Sequence, residues 1–566
     1  MNTYYTILNG ILLVAIGILL RYGWYRFRYF LHMFQLFGYK THEYLEWVSR
    51  HFFSRVITPE HIMINVVLAA LLYLMSERMT VSAAGLVLSV FIFFWFGSVS
   101  RFDPEREKKP LRFTPRMIRL TVTQAVLILL PLYIMLDLAF TGRLLNSAIT
   151  IRELGLPVLM ADPYFLFFGI VLVDLMGPFL LLLSAGLMSP VEKRVHEGFK
   201  KKARAKLAEL PSLKIVAITG SYGKTSTKFL IHDLLNERYK VCMTPGSYNT
   251  PMGICKVINN DLEAHHQVLV LEMGARTPGN IQELCEIAVP DVAVVTNVGK
   301  AHLETFGSVE SIAREKSTLV RELKSEGVLV VNSDDERVMQ MTEMREDIQV
   351  IRTGLETGLI RGQNIEYDEK GTRFTMYWGN DQENDVVEQE IKMNLLGTHN
   401  VQNFLLAAGV ARAFGIRPAT LALAAKKIKP VEHRLELKKQ GELYVIDDAF
   451  NSNPVGAKNA VDILCSFKTG RRIIITPGMV ELGEAQEEEN RKFGRYLAES
   501  RLDLIILVGP EQTKPILEGI REVGRKNDKV RVVQSLFEAN DFVREFARSG
   551  DVILYENDLP DTYNET

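Results

Sequence analysis

The chain has 566 residues, 66 Lys and Arg against 67 Asp and Glu, a formal net charge of −1 and a pI near 6.9. That balance argues against a general nucleic-acid binder, whose charge would be strongly positive, and the length calls for three or four domains at about 150 residues each. Its four cysteines, Cys242, Cys255, Cys285 and Cys465, form no C-x-x-C pair, which speaks against a zinc ribbon or a disulfide framework and fits a reducing compartment.

Apolar residues crowd into the first 190 positions. Runs near 4–20, 61–76, 81–98, 118–140 and 163–188, set against the roughly 20 apolar residues that cross a bilayer, predict five membrane spans. The second is short enough to be re-entrant, and Pro131 and Pro178 predict kinks in the last two. No small-residue cleavage site follows the first run, which reads as a retained anchor. Lys and Arg are absent from residues 1–20, frequent at Arg21–Arg55, sparse near Arg78, frequent at Arg101–Arg116, sparse at Arg143 and Arg152, and dense from Lys193 to Lys206. By the positive-inside rule this alternation predicts a multi-pass protein of the cell (inner) membrane, N-terminus outside and the C-terminal domains cytoplasmic.

Within that region, "RYGWYRFRYFLHMFQLFGYKTHEYLEWVSRHFF" mixes aromatics with cations. It suits a segment lying on anionic lipid, or equally a helical hairpin packed on the soluble part. Asp137 and Asp174 fall in or near spans; the first reads as interfacial, the deeper second as a candidate substrate or partner contact. A basic linker at 191–209 leads out of this domain, which we bound at 1–190.

At 213–235, "LKIVAIT" predicts a buried parallel strand, Gly220-Ser221-Tyr222-Gly223-Lys224-Thr225-Ser226 a turn, and "TKFLIHDLL" an amphipathic helix. Strand, glycine turn and helix make a phosphate cradle. The glycines let backbone N–H groups approach phosphate oxygens, Lys224 supplies a charge and Thr225 a hydroxyl for magnesium. The spacing is G-x-x-G-K-T-S, with Ile218 where the common phosphate loop has its first glycine.

Downstream, in order, come "EMGARTPGNI" (272–281), "TNVGKAHLETFGSVESIAREKSTLV" (296–320), "VNSDD" (331–335), "GTHNVQNFLLAA" (397–408), "EHRLE" (432–436), "IDDAFNSNP" (446–454) and "TPGMVELGE" (476–484). With the shortened loop, this series resembles the Mur ligase superfamily, in its MurF-like branch, over about 210–560. The resemblance implies a central ATP-binding domain at 210–429 and a C-terminal Rossmann-like α/β domain at 430–566. It also implies transfer of the ATP γ-phosphate to a substrate carboxylate, giving an acyl phosphate that an amine attacks to form an amide. Such chemistry depends on positioning and on neutralising phosphate charge.

By the same resemblance, Gly220, Ser221, Gly223, Lys224, Thr225 and Ser226 hold the phosphates. Thr225 and Glu272 would ligate a first magnesium, and His302 a second. Lys316 matches a lysine carried as a carbamate, which could also hold metal. Asn249, in "NTPMG", corresponds to a position near the reacting carboxylate or γ-phosphate, against an ordinary turn on the residues alone. His399, Asn400 and Asn403 look like the adenine-binding segment. Arg434 resembles a phosphate contact, Asp447 a ribose contact, and Asn451 lines the same cleft, which should close on ATP and acceptor.

Two departures stand out. MurF-like proteins begin with a uridine-nucleotide-binding domain where this chain is apolar, and "YEND" follows "GDVIL" where the resemblance leads to "KGS". The expectation is a membrane-anchored ATP-dependent amide ligase joining an amino acid or peptide donor to a carboxylate acceptor of the cell envelope, including a lipid-linked one, with ATP and Mg2+ as cofactors. The bilayer and other membrane subunits are the expected partners, without nucleic acid. A poly-γ-glutamate-type synthase and a non-catalytic ATP-binding scaffold are the alternatives.

Overall fold

Short β-branched runs alternate with helices from residue 214 onward, and that alternation builds two sheets. The computed structural model describes residues 21–59, 61–63, 65–66, 111–140, 163–299, 303–368, 371–379, 386–430, 433–449, 453–468, 470–480, 482–524 and 529–557. They fall into two units, Met1–Val195 and His196–Thr566.

In the second unit the first sheet has nine strands in the order β2-β3-β1-β4-β5-β6-β7-β8-β9. Strands β1 (Lys214–Thr219), β2 (Val241–Met243), β3 (Val268–Glu272), β4 (Val292–Val295), β5 (Val328–Asn332) and β6 (Gln349–Gly354) are parallel. They are covered on both faces, which is why they read as unbroken apolar runs such as "VLVLE" and "VAVV". One face packs Val216, Ile218, Val270 and Val294 on Leu230, Ile231, Phe404 and Leu405, and the other packs Ala217, Leu269 and Ala293 on Ile254, Ile281 and Leu319. Each fully buried Val, Leu, Ile or Phe side chain contributes about 1.5–3 kcal/mol. A hairpin series, β7 (Ile360–Asp368), β8 (Gly371–Gly379) and β9 (Val386–Met393), extends the sheet, with β7 parallel to β6 and the later pairings antiparallel.

Strand β1 sits between β3 and β4, where the strand order reverses, so a crevice opens at the carboxyl ends of these three strands. The predicted strand, turn and helix are there: β1 runs into Gly220–Gly223 and then α4 (Lys224–Asn236).

The second sheet orders β10 (Glu436–Gln440), β11 (Leu443–Asp448), β15 (Val552–Glu556), β12 (Arg472–Thr476), β13 (Leu504–Val508) and β14 (Val530–Val533), all parallel except the β10–β11 pair. This is the open α/β sheet that "LYVIDDAF", "RRIIITPG", "LDLIILVG" and "GDVILYE" predict.

The first unit is helical in its described residues. A helix over 21–36 turns at 37–39 into α1 (Thr41–Arg50), a hairpin whose Phe30, Phe34, Tyr44 and Trp47 are buried with Met117 and Leu181. The last two belong to α2 (Pro115–Phe140) and α3 (Pro163–Ala208). Arg119 pairs with the buried Glu192 at 2.7 Å across these two helices. The predicted spans 118–140 and 163–188 lie on α2 and α3, which continue through Pro131 and Pro178; residues 191–208, predicted as a linker, are helical as well. Among the described residues, one segment, Leu175–Ala208, is long and apolar enough to cross a membrane by length and composition. The predicted spans 4–20 and 81–98, most of 61–76, and the side chains of Asp137 and Asp174 lie outside the described residues.

Candidate active site

The turn after β1 is drawn tight by its own sequence. Gly220 has φ 152°, and a Cβ there would lie 1.8 Å from Thr296 Oγ1. Gly223 has φ 79°, and a Cβ there would meet Asn403 Oδ1 at 2.4 Å. Both positions therefore demand glycine, one for close approach and the other also for the left-handed backbone. The segment after β4 holds the turn from the side. Ser221 Oγ accepts from Gly299 N at 2.8 Å, Tyr222 N donates to Asn297 Oδ1 at 2.8 Å, and Thr296 Oγ1 donates to Tyr222 O at 2.6 Å. Val298 N in turn donates to Asp335 Oδ2 at 2.8 Å, so the "VNSDD" motif steadies the phosphate loop at one remove.

Lys224 folds back over the loop and donates to Gly220 O at 2.7 Å and Ser221 O at 3.2 Å. Desolvation lowers its pKa to about 8, against the opposing pull of Glu272 and with help from Arg434. Ser226 is buried in the first turn of α4.

Glu272, at the end of β3, is 1% exposed, and both of its oxygens are engaged. Oε2 accepts from Thr225 Oγ1 at 2.9 Å and lies 3.3 Å from Lys228 Nζ; Oε1 accepts from Asn249 Nδ2 at 3.1 Å. Arg434 reaches in from the turn before β10 and donates through Nη2 to Thr225 Oγ1 at 3.3 Å. Thus Lys224, Thr225, Glu272, Asn249 and Arg434, predicted from four separate motifs, meet in one place. A cavity of about 890 Å³ opens beside Thr225 and Arg434, walled by Phe229, His232, Met243 and Lys427.

The Thr225 hydroxyl and the Glu272 carboxylate are hard oxygen donors side by side, the donor set that suits magnesium, which keeps waters and substrate phosphates as its remaining ligands. The residues present fit that ion. His302, predicted as a ligand of a second metal, lies outside the described residues, as does Asn451.

Lys316 lies on α5 (Val309–Arg321) and is 5% exposed, unlike the solvated lysine a charged helix usually carries. Burial first, then the charge of Lys224, hold its pKa well below the usual lysine value, with Glu315 opposing. The neighbouring Glu315 accepts from Gly279 N at 2.8 Å and Ile281 N at 2.7 Å. It thereby ties the "RTPGN" loop that follows Glu272 to the helix bearing Lys316.

The predicted base-reading residues divide. Asn400 and Asn403 on α6 (Thr398–Ala413) turn inward: Asn400 Nδ2 donates to Leu396 O at 2.8 Å, and Asn403 Oδ1 accepts from Thr227 Oγ1 at 3.2 Å while packing on Gly223. His399 Nδ1 is buried with no hydrogen-bond partner, and burial together with Arg434 lowers the imidazole pKa to about 4, leaving it neutral. Asp447 is bonded to Lys438 Nζ at 2.7 Å and His433 Nδ1 at 2.9 Å; burial opposes its ionised form, yet these bonds hold its pKa below the usual value.

Sequence reasoning missed Lys228 and Asp448. Lys228 follows Lys224 by four residues on a helix, a spacing that places both on one face. Asp448 accepts from Leu435 N at 3.1 Å, and burial raises its pKa to about 7, opposed by that bond and by Arg434.

Residues 218–411 match the Mur ligase middle domain and residues 433–555 the Mur ligase glutamate ligase domain. The UDP-N-acetylmuramoyl-tripeptide–D-alanyl-D-alanine ligase of Bacillus subtilis (strain 168) is 31% identical over 361 residues, 63% of this chain and 76% of the relative. The ligase of that name from Mycobacterium tuberculosis (strain H37Rv) is 35% identical over 328 residues, 56% of this chain and 62% of the relative, so this chain spans somewhat less than two thirds of it. Among solved structures, the MurF ligase of Thermotoga maritima in complex with ADP aligns with a TM-score of 0.58 at 27% identity, covering 65% of this chain and 82% of that one. MurF from Acinetobacter baumannii aligns with a TM-score of 0.58 at 26% identity, covering 65% and 78%.

Gly223→Ala should lower nucleotide affinity at least tenfold in a calorimetric titration, because its Cβ meets the Asn403 amide and its φ is positive. Gly279→Ala, also at positive φ but with nothing within 4 Å, should lose only stability, about 1 kcal/mol, and keep that affinity. Equal affinities in the two variants would contradict the packing account.

Proposed function

We propose, from the premise that this chain belongs to the Mur ligase family of ATP-dependent carboxylate–amine ligases, that it forms an amide on a cell-envelope precursor at a membrane. The observation that carries this reading is the convergence of Lys224, Thr225, Glu272, Asn249 and Arg434 on one phosphate loop. The named relatives are ligases that act on a UDP-muramoyl tripeptide and D-alanyl-D-alanine, which supports peptidoglycan synthesis as the setting and a peptide as the amine donor.

In the proposed reaction the loop N–H groups and Lys224 hold the β- and γ-phosphates in the anion-binding turn. Arg434 neutralises charge on the phosphoryl group as it moves to the acceptor carboxylate, which enters through the cavity beside Thr225. The P–O bond to ADP breaks as the bond to the carboxylate oxygen forms. The amine then attacks the acyl carbon, loses a proton and expels phosphate. Magnesium on Thr225 and Glu272 would supply the remaining charge neutralisation. His399, neutral and with an unpartnered ring nitrogen, suits a contact with the nucleotide. A Lys316 amine kept neutral by burial is the form that adds to carbon dioxide: its nitrogen bonds to the carbon, a proton leaves, and a neutral group becomes an anion able to hold metal.

The apolar first unit supports a membrane location, with Leu175–Ala208 as one helix of sufficient length and apolarity. Cytoplasmic ligase domains follow from the charge alternation of the loops, and a lipid-linked acceptor from the apolar region that stands where a uridine-nucleotide-binding domain is expected; both are part of this proposal.

Phosphate release should require both the carboxylate acceptor and the amine donor. Oxygen-18 placed in the acceptor carboxyl should appear in the released phosphate; its absence there would sink the acyl-phosphate route, ATP hydrolysis indifferent to acceptor would count against an amide ligase, and a Lys224→Ala variant that still supports the cellular role would favour a scaffold. Nucleotide affinity should fall as pH rises from about 8 toward 10.5. In that window the free protein has lost the Lys224 proton that an exposed lysine keeps, so binding takes a proton up. The same depressed pKa makes this group's contribution to folding less unfavourable as pH rises through the window. Calorimetry at pH 8.5 in buffers of different ionisation enthalpy should register the uptake. Carbon-13 bicarbonate should give a carbamate NMR signal that Lys316→Ala removes; a signal unchanged in that variant would exclude Lys316 as its site.

A further inference from the structure

Lys228 is a buried lysine, 0% exposed, to which the phosphate-loop reading gives no task. Its ammonium donates to Gly246 O and lies 3.3 Å from Glu272 Oε2. That same oxygen accepts the Thr225 hydroxyl at 2.9 Å, while Asn249 takes the other oxygen at 3.1 Å. A neutral donor could make the bond to Gly246 and staple α4 to the turn before Asn249. What only a cation can do is neutralise Glu272 where water cannot.

We infer that Lys228 is a positioning residue and the resident counter-ion of Glu272, holding the carboxylate against Thr225 and keeping free divalent cations out until a nucleotide arrives. The inference rests on the reading of Thr225 and Glu272 as metal ligands. A bare divalent ion approaching Glu272 meets Lys228 against the same oxygen, with the charges of Lys224 and of Arg434, the latter shared with Asp448, also acting there, so the local charge opposes it. A polyphosphate brings several negative charges of its own and reverses that balance. The metal then enters as the nucleotide complex, not ahead of it. Lys228 retains the Gly246 carbonyl as a partner when the metal takes its share of Glu272, so its ammonium is never left bare.

The test is binding of Mn2+ to the purified full-length protein without nucleotide, followed by the paramagnetic resonance signal of the free ion. Wild type should bind weakly and Lys228→Arg, which keeps the charge, equally weakly. Lys228→Met, similar in length and apolar, should bind Mn2+ about tenfold more tightly or better, as removal of a neighbouring charge in a poorly solvated site allows. Should Lys228→Met lose its cooperative thermal transition, Lys228→Gln, which keeps a donor for Gly246 but no charge, carries the same expectation. Affinities within twofold of wild type in the uncharged variants would overturn the inference, as a staple alone predicts. Mn2+ binding with ADP present separates the two readings. Its loss in Glu272→Gln without any gain in Lys228→Met removes the counter-ion role and leaves the ligand assignment standing; its persistence in Glu272→Gln removes both.

Discussion

A carboxylate shut away from water at the end of a strand is the constraint around which the catalytic half is built. Glu272 is 1% exposed, and its burial is tolerable only because Thr225, Lys228 and Asn249 occupy its two oxygens and Arg434 adds charge nearby. Removing one partner of a buried ion pair costs about 3–5 kcal/mol, since the other charge is left uncompensated. The partners come from the helix after β1, the turn after β2 and the second sheet. The strand order β2-β3-β1-β4 is what brings these ends together, so the sheet topology and the electrostatics of the site are one arrangement.

The contact from the second sheet is held by a strained strap. His433 and Leu435, on either side of Arg434, both have positive φ, at 59° and 49°. Neither residue is glycine, and conformations of this kind cost of order 1–3 kcal/mol each unless the surroundings impose them. Here two adjacent aspartates do so: Asp447 holds the His433 ring and Asp448 the Leu435 N–H. The guanidinium is thereby aimed back at Thr225. The pair "DD" in "IDDAF" thus acts through the backbone of "HRL", and Asp447 has a positional duty besides any contact with a ribose.

What the sequence made legible follows from how local each signal is. The phosphate loop could be read because strand, glycines, lysine and helix lie within two turns of one another, and the parallel strands because burial on both faces leaves unbroken apolar runs. The open sheet after residue 430 was readable for the same reason. The antiparallel extension β7–β9 carries a weaker pattern, with exposed Glu and Lys on β9, and no apolar run marks it. Lys228 was hidden because its significance depends on Gly246 and Glu272, 18 and 44 residues away, contacts that only the fold creates. Lys316 could be named by its motif, but its burial could not, since the helix "IAREKSTL" reads as charged.

Polar residues in an apolar run invite a functional reading, and the helix beginning at Thr398 shows how that inference divides. Asn403 interrupts the run because it must meet Gly223 and Thr227; its amide is a packing element of the phosphate loop, and a longer side chain there would push on the turn. Asn400 donates its amide to the carbonyl of Leu396, just before the helix begins, so its polarity is spent within the protein. His399 alone keeps a buried nitrogen without a partner. An unpartnered buried polar atom costs about 1–3 kcal/mol in the free protein, a cost that a ligand atom placed against it would recover. Of the three, it is therefore the histidine that the protein leaves chemically unfinished, beside the arginine that the second sheet sends to the phosphate loop.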